Sequence, residues 1–260
     1  MALSFDQIVV RESQTPQTRP KKILESVLHF LAYHFILSRR STRHVTVAGL
    51  DLTVGPTVFD PRFFLTSAFF AEFILGLDLR GKRVADVGTG SGILAIAAAK
   101  AGASEVVAID INPYAVAATN VNAKKNGVAG TVKAIIGHLL SPVPGGARFD
   151  LILTNPPFFE GQPRDVADRS WYAGPNFRDI ATLFEQASQR LAPGGRVYVV
   201  LSSSCNLAAF AEMIEKAGMT GHPVSKKSFV LESIIVYELR RSPDAVAAYG
   251  SERSPSLVEL

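Results

Sequence analysis

Cysteine is nearly absent, with Cys205 the only one in 260 residues. A lone thiol excludes an internal disulfide framework and any zinc site built on several thiolates, and no metal is expected. Charge is also sparse, at 19% of residues against 47% apolar ones. That balance can bury a sizeable core, which excludes a wholly disordered, collagen-like or acidic-tail chain. No apolar run is suited to crossing a bilayer. The most apolar stretch near the start, Ile23 to Leu37, is broken by Glu25, Ser26, His29 and His34, too short and too polar for a hydrocarbon core of about 30 Å. Met1 to Val10 lacks a basic region followed by an apolar one, so no leader is expected, and the expected location is cytoplasmic, away from membranes. No internal repeat is visible.

What charge there is lies unevenly. Residues 1–44 carry seven basic side chains (Arg11, Arg19, Lys21, Lys22, Arg39, Arg40, Arg43) against three acidic ones (Asp6, Glu12, Glu25), and the rest of the chain balances, so the whole excess of +4 sits at the N-terminus. A basic arm on a neutral body fits nucleic acid or another polyanionic partner, and it fits a solvated helix face equally simply. Ile23, Leu24, Val27, Leu28, Leu31 and Phe35 share one helical stripe behind Pro20, which predicts an amphipathic helix over about 20–38.

Beyond Arg43 the period changes to two. Val45 and Val47, then Leu50, Leu52 and Val54, flank Ala48-Gly49 and predict a hairpin. A helix follows from about Phe64 to Leu77. From Lys82 onward strands and helices alternate. Strands are expected at Arg83–Val87, Glu105–Ile109, Thr131–Ile136, Leu151–Thr154, Arg196–Leu201 and Ile234–Leu239. Helices are expected at Ile93–Ala101, Tyr114–Asn126, Ile180–Leu191 and Leu207–Ala217. Such alternation implies an α/β fold, a doubly wound and mostly parallel sheet. The organisation expected is an N-terminal helix and hairpin over 1–55, a possible substrate-recognition module. The main domain follows over 56–241, and a fraying tail over 242–260.

Three elements carry chemistry. The first strand of the alternation runs into Asp86-Val87-Gly88-Thr89-Gly90-Ser91-Gly92 and at once into a helix. Glycine permits a sharp turn and close approach to a ligand, and a helix N-terminus offers free N–H groups. A nicotinamide-binding loop would place its third glycine at 93, which is Ile93, so a dehydrogenase is disfavoured. Next, Asp110 ends the following strand, 22 positions after Gly88, where a carboxylate accepts hydrogen bonds from ribose hydroxyls. It could instead cap the helix that follows, as could Asn112. Third, a strand ends in Asn155-Pro156-Pro157-Phe158-Phe159. Consecutive prolines hold the backbone extended and remove N–H groups, which exposes the Asn155 amide and nearby carbonyls to grip an N–H₂ group, with Phe158 able to stack on its face.

These motifs, together with Leu191-Ala192-Pro193-Gly194-Gly195 before a strand, resemble the class I S-adenosylmethionine-dependent methyltransferases. The similarity is to their small-domain branch, which includes release-factor glutamine, ribosomal RNA guanine-N2 and N6-adenine methyltransferases. It covers roughly residues 45–240. The resemblance implies a seven-stranded Rossmann-like sheet and S-adenosyl-L-methionine as cofactor. It also implies that Gly88, Thr89, Gly90 and Gly92 surround the methionine end, with Asp86 near its ammonium. Asp110 takes the ribose hydroxyls, and Ile111 packs on adenine. Asn155 and the Pro156 carbonyl orient an acceptor nitrogen beside Phe158, close enough for Asn155 to meet the cofactor as well. Val58 to Ser67 closes over the cofactor.

One element of the family pattern is missing. An acid before the fourth strand commonly binds the adenine amine, and His138 stands there in Ile136-Gly137-His138-Leu139-Leu140. A ring nitrogen could accept that bond, or the side chain could face solvent. Pro157, Phe159, Trp171 and Tyr172 are the candidate substrate contacts, since Trp171-Tyr172-Ala173-Gly174-Pro175 resembles the substrate loop of the glutamine and adenine enzymes. Cys205 reads as a packed side chain, and His29/His34 as structural. The function expected is N-methyl transfer to a planar amide or amino nitrogen, with a protein glutamine favoured. An RNA or DNA base, a small molecule, and a catalytically inactive cofactor-binding scaffold are the alternatives.

Overall fold

The structure, a computed structural model, describes residues 41–62, 65–229 and 232–243. The helix expected over 20–38, the His29/His34 pair and almost all of the tail lie outside the described residues. The expected hairpin forms from β1 (Arg43–Val47) and β2 (Leu50–Val54), paired antiparallel around Ala48-Gly49. Then come α1 (Leu65–Leu75), β3 (Arg83–Val87), α2 (Ile93–Lys100), β4 (Glu105–Asp110), α3 (Pro113–Lys125), β5 (Val132–Ile136) and β6 (Phe149–Thr154). Two 3₁₀ turns, Asp168–Ser170 and Pro175–Phe177, precede α4 (Leu183–Arg190), β7 (Leu191–Ser202), α5 (Leu207–Lys216), β8 (Met219–Ser228) and β9 (Ser233–Arg241).

Seven strands form one sheet in the order β5-β4-β3-β6-β7-β9-β8. The first five lie parallel, and β9 runs antiparallel to both β7 and β8. Central strands are buried on both faces, which is why they read as continuous apolar runs. Alternate residues sort into two cores. Val84, Leu151, Leu153, Tyr198 and Val200 face α1, α2, α3 and the hairpin. Ala85, Ile152, Val197, Val199 and Leu201 face α4 and α5.

The pattern had no strand between Leu207–Ala217 and Ile234–Leu239, yet β8 lies there. Among the described residues it is an edge strand, pairing only with β9, and its residues are mostly exposed. Pro223 and Lys226-Lys227 suit an edge, where an N–H is dispensable and charge deters further pairing, and these residues erase the apolar alternation. β7 also begins earlier than Arg196, at Leu191, directly after α4.

The hairpin is sewn to the main body by polar side chains. Asn122, buried on α3, donates to the carbonyls of Thr53 and Ser91 (2.9 and 2.8 Å) and accepts from the Thr53 N–H. One asparagine thus ties β2 to the glycine turn. Asp60, fully buried, holds Arg43 and Arg62, both at 2.9 Å, and fixes the segment between the hairpin and α1.

Candidate active site

In the sheet order, the chain leaves β3 toward β4 and β5 on one side and returns as β6 on the other. Crevices at the carboxyl ends of strands form at such reversals. Here one opens to a cleft of about 320 Å³ between the turn after β3, the ends of β4 and β6, and the segments after β5 and β6.

The glycine turn is strapped down from two directions. The Gly88 and Thr89 N–H groups donate to the Ile109 carbonyl of β4 (2.8 and 3.0 Å), and the Gly90 N–H donates to Asp110 Oδ2 (2.8 Å). Gly88 and Gly90 line the cleft with φ of +79° and +55°, and a Cβ on either would meet no atom of the described residues within 4 Å. The bare backbone therefore faces the cavity, beside Thr89. Gly92 does a different job. It lies outside the lining, at the start of α2 with φ +82°, and a Cβ there would fall 2.9 Å from Thr119.

Asp86 also stands behind the turn rather than in the cleft lining. Fully buried, it accepts from Thr89 Oγ1 (2.6 Å) and from the Ala95 N–H (3.1 Å). It supplies the side-chain cap that Gly92 cannot. Burial pushes its pKa up to about 7, against the opposing pull of those two hydrogen bonds. Its Oδ1 is buried without a hydrogen-bond partner among the described residues.

Asp110 is in the lining, and its competing assignment as a cap is resolved. Asn112 caps α3 by accepting from the Tyr114 N–H (3.0 Å), while its Nδ2 holds Thr57. Asp110 accepts the Gly90 N–H on Oδ2 and the Asn112 N–H on Oδ1 (2.9 Å), and the Ile111 N–H also favours its charged form. A carboxylate has about four acceptor sites, so capacity is left for a further donor. Burial raises its pKa. Next to it Ile111 is 41% exposed, a large apolar side chain left bare on the cleft wall.

On the opposite wall the Asn155 side chain is oriented by α1. Its Nδ2 donates to Ser67 Oγ (3.1 Å) and toward Thr66 Oγ1 (3.4 Å). Oδ1 accepts no hydrogen bond among the described residues, and Asn155, Pro156, Pro157 and Phe158 all line the cleft. The next segment folds back. Phe159 bridges to Tyr172, the Ala173 N–H donates to the Phe159 carbonyl (2.9 Å), and the Phe159 and Trp171 rings stack at 5.1 Å. The loop carrying Trp171 and Tyr172 is thereby brought beside Asn155, a neighbourhood that spacing along the chain did not reveal. Burial, with the Asp168 charge nearby, raises the Tyr172 pKa and keeps the phenol a donor.

His138 faces the cleft from beyond β5. Its Nε2 lies 3.0 Å from the Asp179 carbonyl, which can only accept, so Nε2 is the donor in that contact and Nδ1 is the ring nitrogen left over. Sequence reasoning named Asn112 only as a cap and missed its hold on Thr57, and it missed Asn122 altogether, because these contacts depend on partners far along the chain. It also missed Ser202, Ser204 and Glu232 in the lining. Cys205 is buried in the core on the α5 face. Among the described residues, no group of three or more His, Cys, Asp or Glu could hold a metal, and no helix is long and apolar enough to cross a membrane.

The strand order, the antiparallel final pair and the cleft at the reversal define a Rossmann-like methyltransferase fold. More narrowly, residues 65–231 match the family described as Methyltransferase small domain, and the chain belongs to that family. A protein of Methanocaldococcus jannaschii named "Putative protein N5-glutamine methyltransferase" is 31% identical over 184 residues, covering 69% of this chain and 88% of its own. The ribosomal protein L11 methyltransferase of Pelotomaculum thermopropionicum is 44% identical over 115 residues, 44% of this chain. That match spans only 30% of the relative. Among solved structures, the T. thermophilus 16S rRNA N2 methyltransferase, in complex with AdoMet and guanosine, is similar with a TM-score of 0.56 at 24% identity. It covers 77% of this chain and 50% of that one, a likeness of fold.

Proposed function

We propose that this protein transfers a methyl group from S-adenosylmethionine to a planar amide nitrogen, with a protein glutamine as acceptor. The observation that carries the reading is the fixed Asn155 amide. With Nδ2 committed to Ser67, Oδ1 and the neighbouring Pro156 carbonyl are left as acceptors for the two protons of an N–H₂ group. An amide nitrogen is a poor nucleophile because its lone pair is delocalised. Acceptors that draw on both protons return density to nitrogen, and correct placement supplies most of the acceleration. Phe158 covers the face of the planar group.

The residues present fit the cofactor. Bare backbone at Gly88 and Gly90 leaves room for its methionine end beside Thr89, and the spare acceptor capacity of Asp110 suits a ribose diol. Ile111 offers an apolar plate for adenine, and His138 Nδ1 an acceptor for the adenine amine. S-adenosylmethionine supplies an electrophilic methyl on a sulfonium centre. Asp86 and Gly92 serve from behind, as positioning residues for the turn.

The glutamine preference is supported by the Methanocaldococcus relative and by the Trp171–Pro175 loop beside Asn155. A second acceptor, an RNA base, is favoured by the basic excess in residues 1–44. Replacement of Asn155 by alanine tests the core of the reading. It should lower turnover by about 10²-fold with cofactor affinity held, and preserved turnover would refute it. Transfer from labelled cofactor into fractionated extract assigns the acceptor to protein, RNA or small molecules.

A further inference from the structure

The ends of β7 and β9 bring a second polar cluster into the same cleft. Ser202 Oγ donates to Glu232 Oε2 over 2.5 Å, and Ser204 Oγ donates to the same oxygen over 3.2 Å. The two hydroxyls lie 2.7 Å apart, and the Ser204 N–H donates to Ser202 Oγ over 3.0 Å. Backbone bonds fix both sides. The Ser203 N–H donates to the Ser233 carbonyl (2.8 Å), the Ser233 N–H to Ser203 Oγ (2.9 Å), and the Phe229 N–H to the Glu232 carbonyl (2.7 Å). All three side chains line the cleft. Among the described residues no cation pairs with Glu232, and its Oε1 accepts no hydrogen bond.

Position separates this cluster from the cofactor end. β7 lies beside β6, with Thr154 opposite Val199, and runs three residues further to Ser202. At about 4.8 Å between strands, Ser202 stands roughly one spacing from the strand that leads into Asn155. It stands roughly three spacings, or about 14 Å, from β4 and Asp110. A carboxylate with one oxygen pinned by two hydroxyls and the other left over is held in place as an acceptor for a ligand's donor. We infer that Glu232, held by Ser202 and Ser204, is a specificity residue for the acceptor. It takes a basic side chain flanking the methylated glutamine and excludes phosphate or carboxylate from that place. The inference rests on the reading of Asn155 as the holder of the acceptor nitrogen.

Two measurements test it. Trp171, the only tryptophan, lines the cleft and reports ligands by fluorescence. With S-adenosylhomocysteine present, wild type should bind arginine amide at least tenfold more tightly than Glu232→Gln. Glu185→Gln, which removes an exposed carboxylate on α4, should match wild type. Equal affinity in wild type and Glu232→Gln overturns the inference. Methyl transfer to two glutamine tripeptides, one flanked by lysines and one by glutamates, is the second measurement. Wild type should prefer the lysine peptide by tenfold or more in kcat/KM. Glu232→Gln should erase the preference mainly through KM, with cofactor affinity by calorimetry unchanged, and a preference that survives overturns the inference. If neither peptide accepts a methyl while arginine amide still discriminates, Glu232 retains its role and the glutamine reading falls. If an oligoribonucleotide proves to be the acceptor and Glu232→Gln leaves its KM unchanged, the inference fails while the Asn155 reading stands.

Discussion

Gly88 and Gly92 sit four residues apart in one turn, both with positive φ, and the structure gives them opposite reasons for being glycine. Alanine at either position carries the left-handed penalty of about 1–2 kcal/mol. At Gly88 nothing more is added to the fold, because the new methyl points into the cleft and meets no atom of the described residues within 4 Å. At Gly92 the Cβ falls 2.9 Å from both Oγ1 and Cγ2 of Thr119 and 3.0 Å from its Cα, closer than packed atoms approach. Overpacking of that kind costs about 1–3 kcal/mol more. For a domain of this size 1 kcal/mol is worth about 2–4 °C, so Gly92→Ala should melt roughly 3–10 °C below Gly88→Ala. Adding Thr119→Ala to Gly92→Ala should recover part of the gap, not all, since the backbone of residue 119 still crowds the new methyl. Calorimetric titration should show the reverse order, with cofactor affinity down about tenfold or more in Gly88→Ala. Equal melting temperatures, or a Gly88→Ala variant that binds normally, would refute this division of labour.

Three further outcomes are expected. Asp110→Ala should cost on the order of 1.5–3 kcal/mol of cofactor binding, through loss of charge-assisted hydrogen bonds, and unchanged affinity by calorimetry excludes the ribose assignment. Ser67→Ala frees the Asn155 amide to rotate and should cut turnover about tenfold while leaving cofactor affinity intact, the cost of a misplaced positioning group; a variant with full turnover shows that Asn155 is fixed by something else. Asp86 titrates near 3.9 when unfolded and near 7 when folded. The unfolded chain therefore loses its proton first, so this contribution to stability is full below about pH 4 and declines up to about pH 7. Its slope approaches 1.4 kcal/mol per pH unit. Asp86→Asn should flatten denaturant-derived stability over that range by about this slope, leaving the same-signed contribution of Asp110, whose charge also raises the Asp86 pKa; an unchanged slope contradicts a buried, destabilised carboxylate at position 86.

Much of the fold was legible along the chain, because local chemistry wrote it there. Doubly buried strands such as Arg83–Val87 are short apolar runs, helices carry their caps and spacing, and a two-residue turn joins the hairpin. The strand that escaped, β8, is the one whose exposed edge removes the apolar signal. Site residues were legible to the extent that they sit in contiguous motifs at strand ends, as Gly88–Gly90, Asp110 and Asn155–Phe158 do, since the sheet gathers its carboxyl ends automatically. Tertiary structure decided everything that depends on a partner remote in sequence. It put Asp86 and Gly92 behind the turn, because the start of α2 and Thr119 of α3 pack there. It let Asn112 rather than Asp110 cap α3, and it aimed Asn155 through Ser67, 88 positions earlier. It also folded Trp171 back onto Phe159 and joined Ser202 to Glu232 across 30 residues. A hydrogen bond between such pairs leaves no periodic trace in the chain, and only the packed sheet brings its two ends within reach.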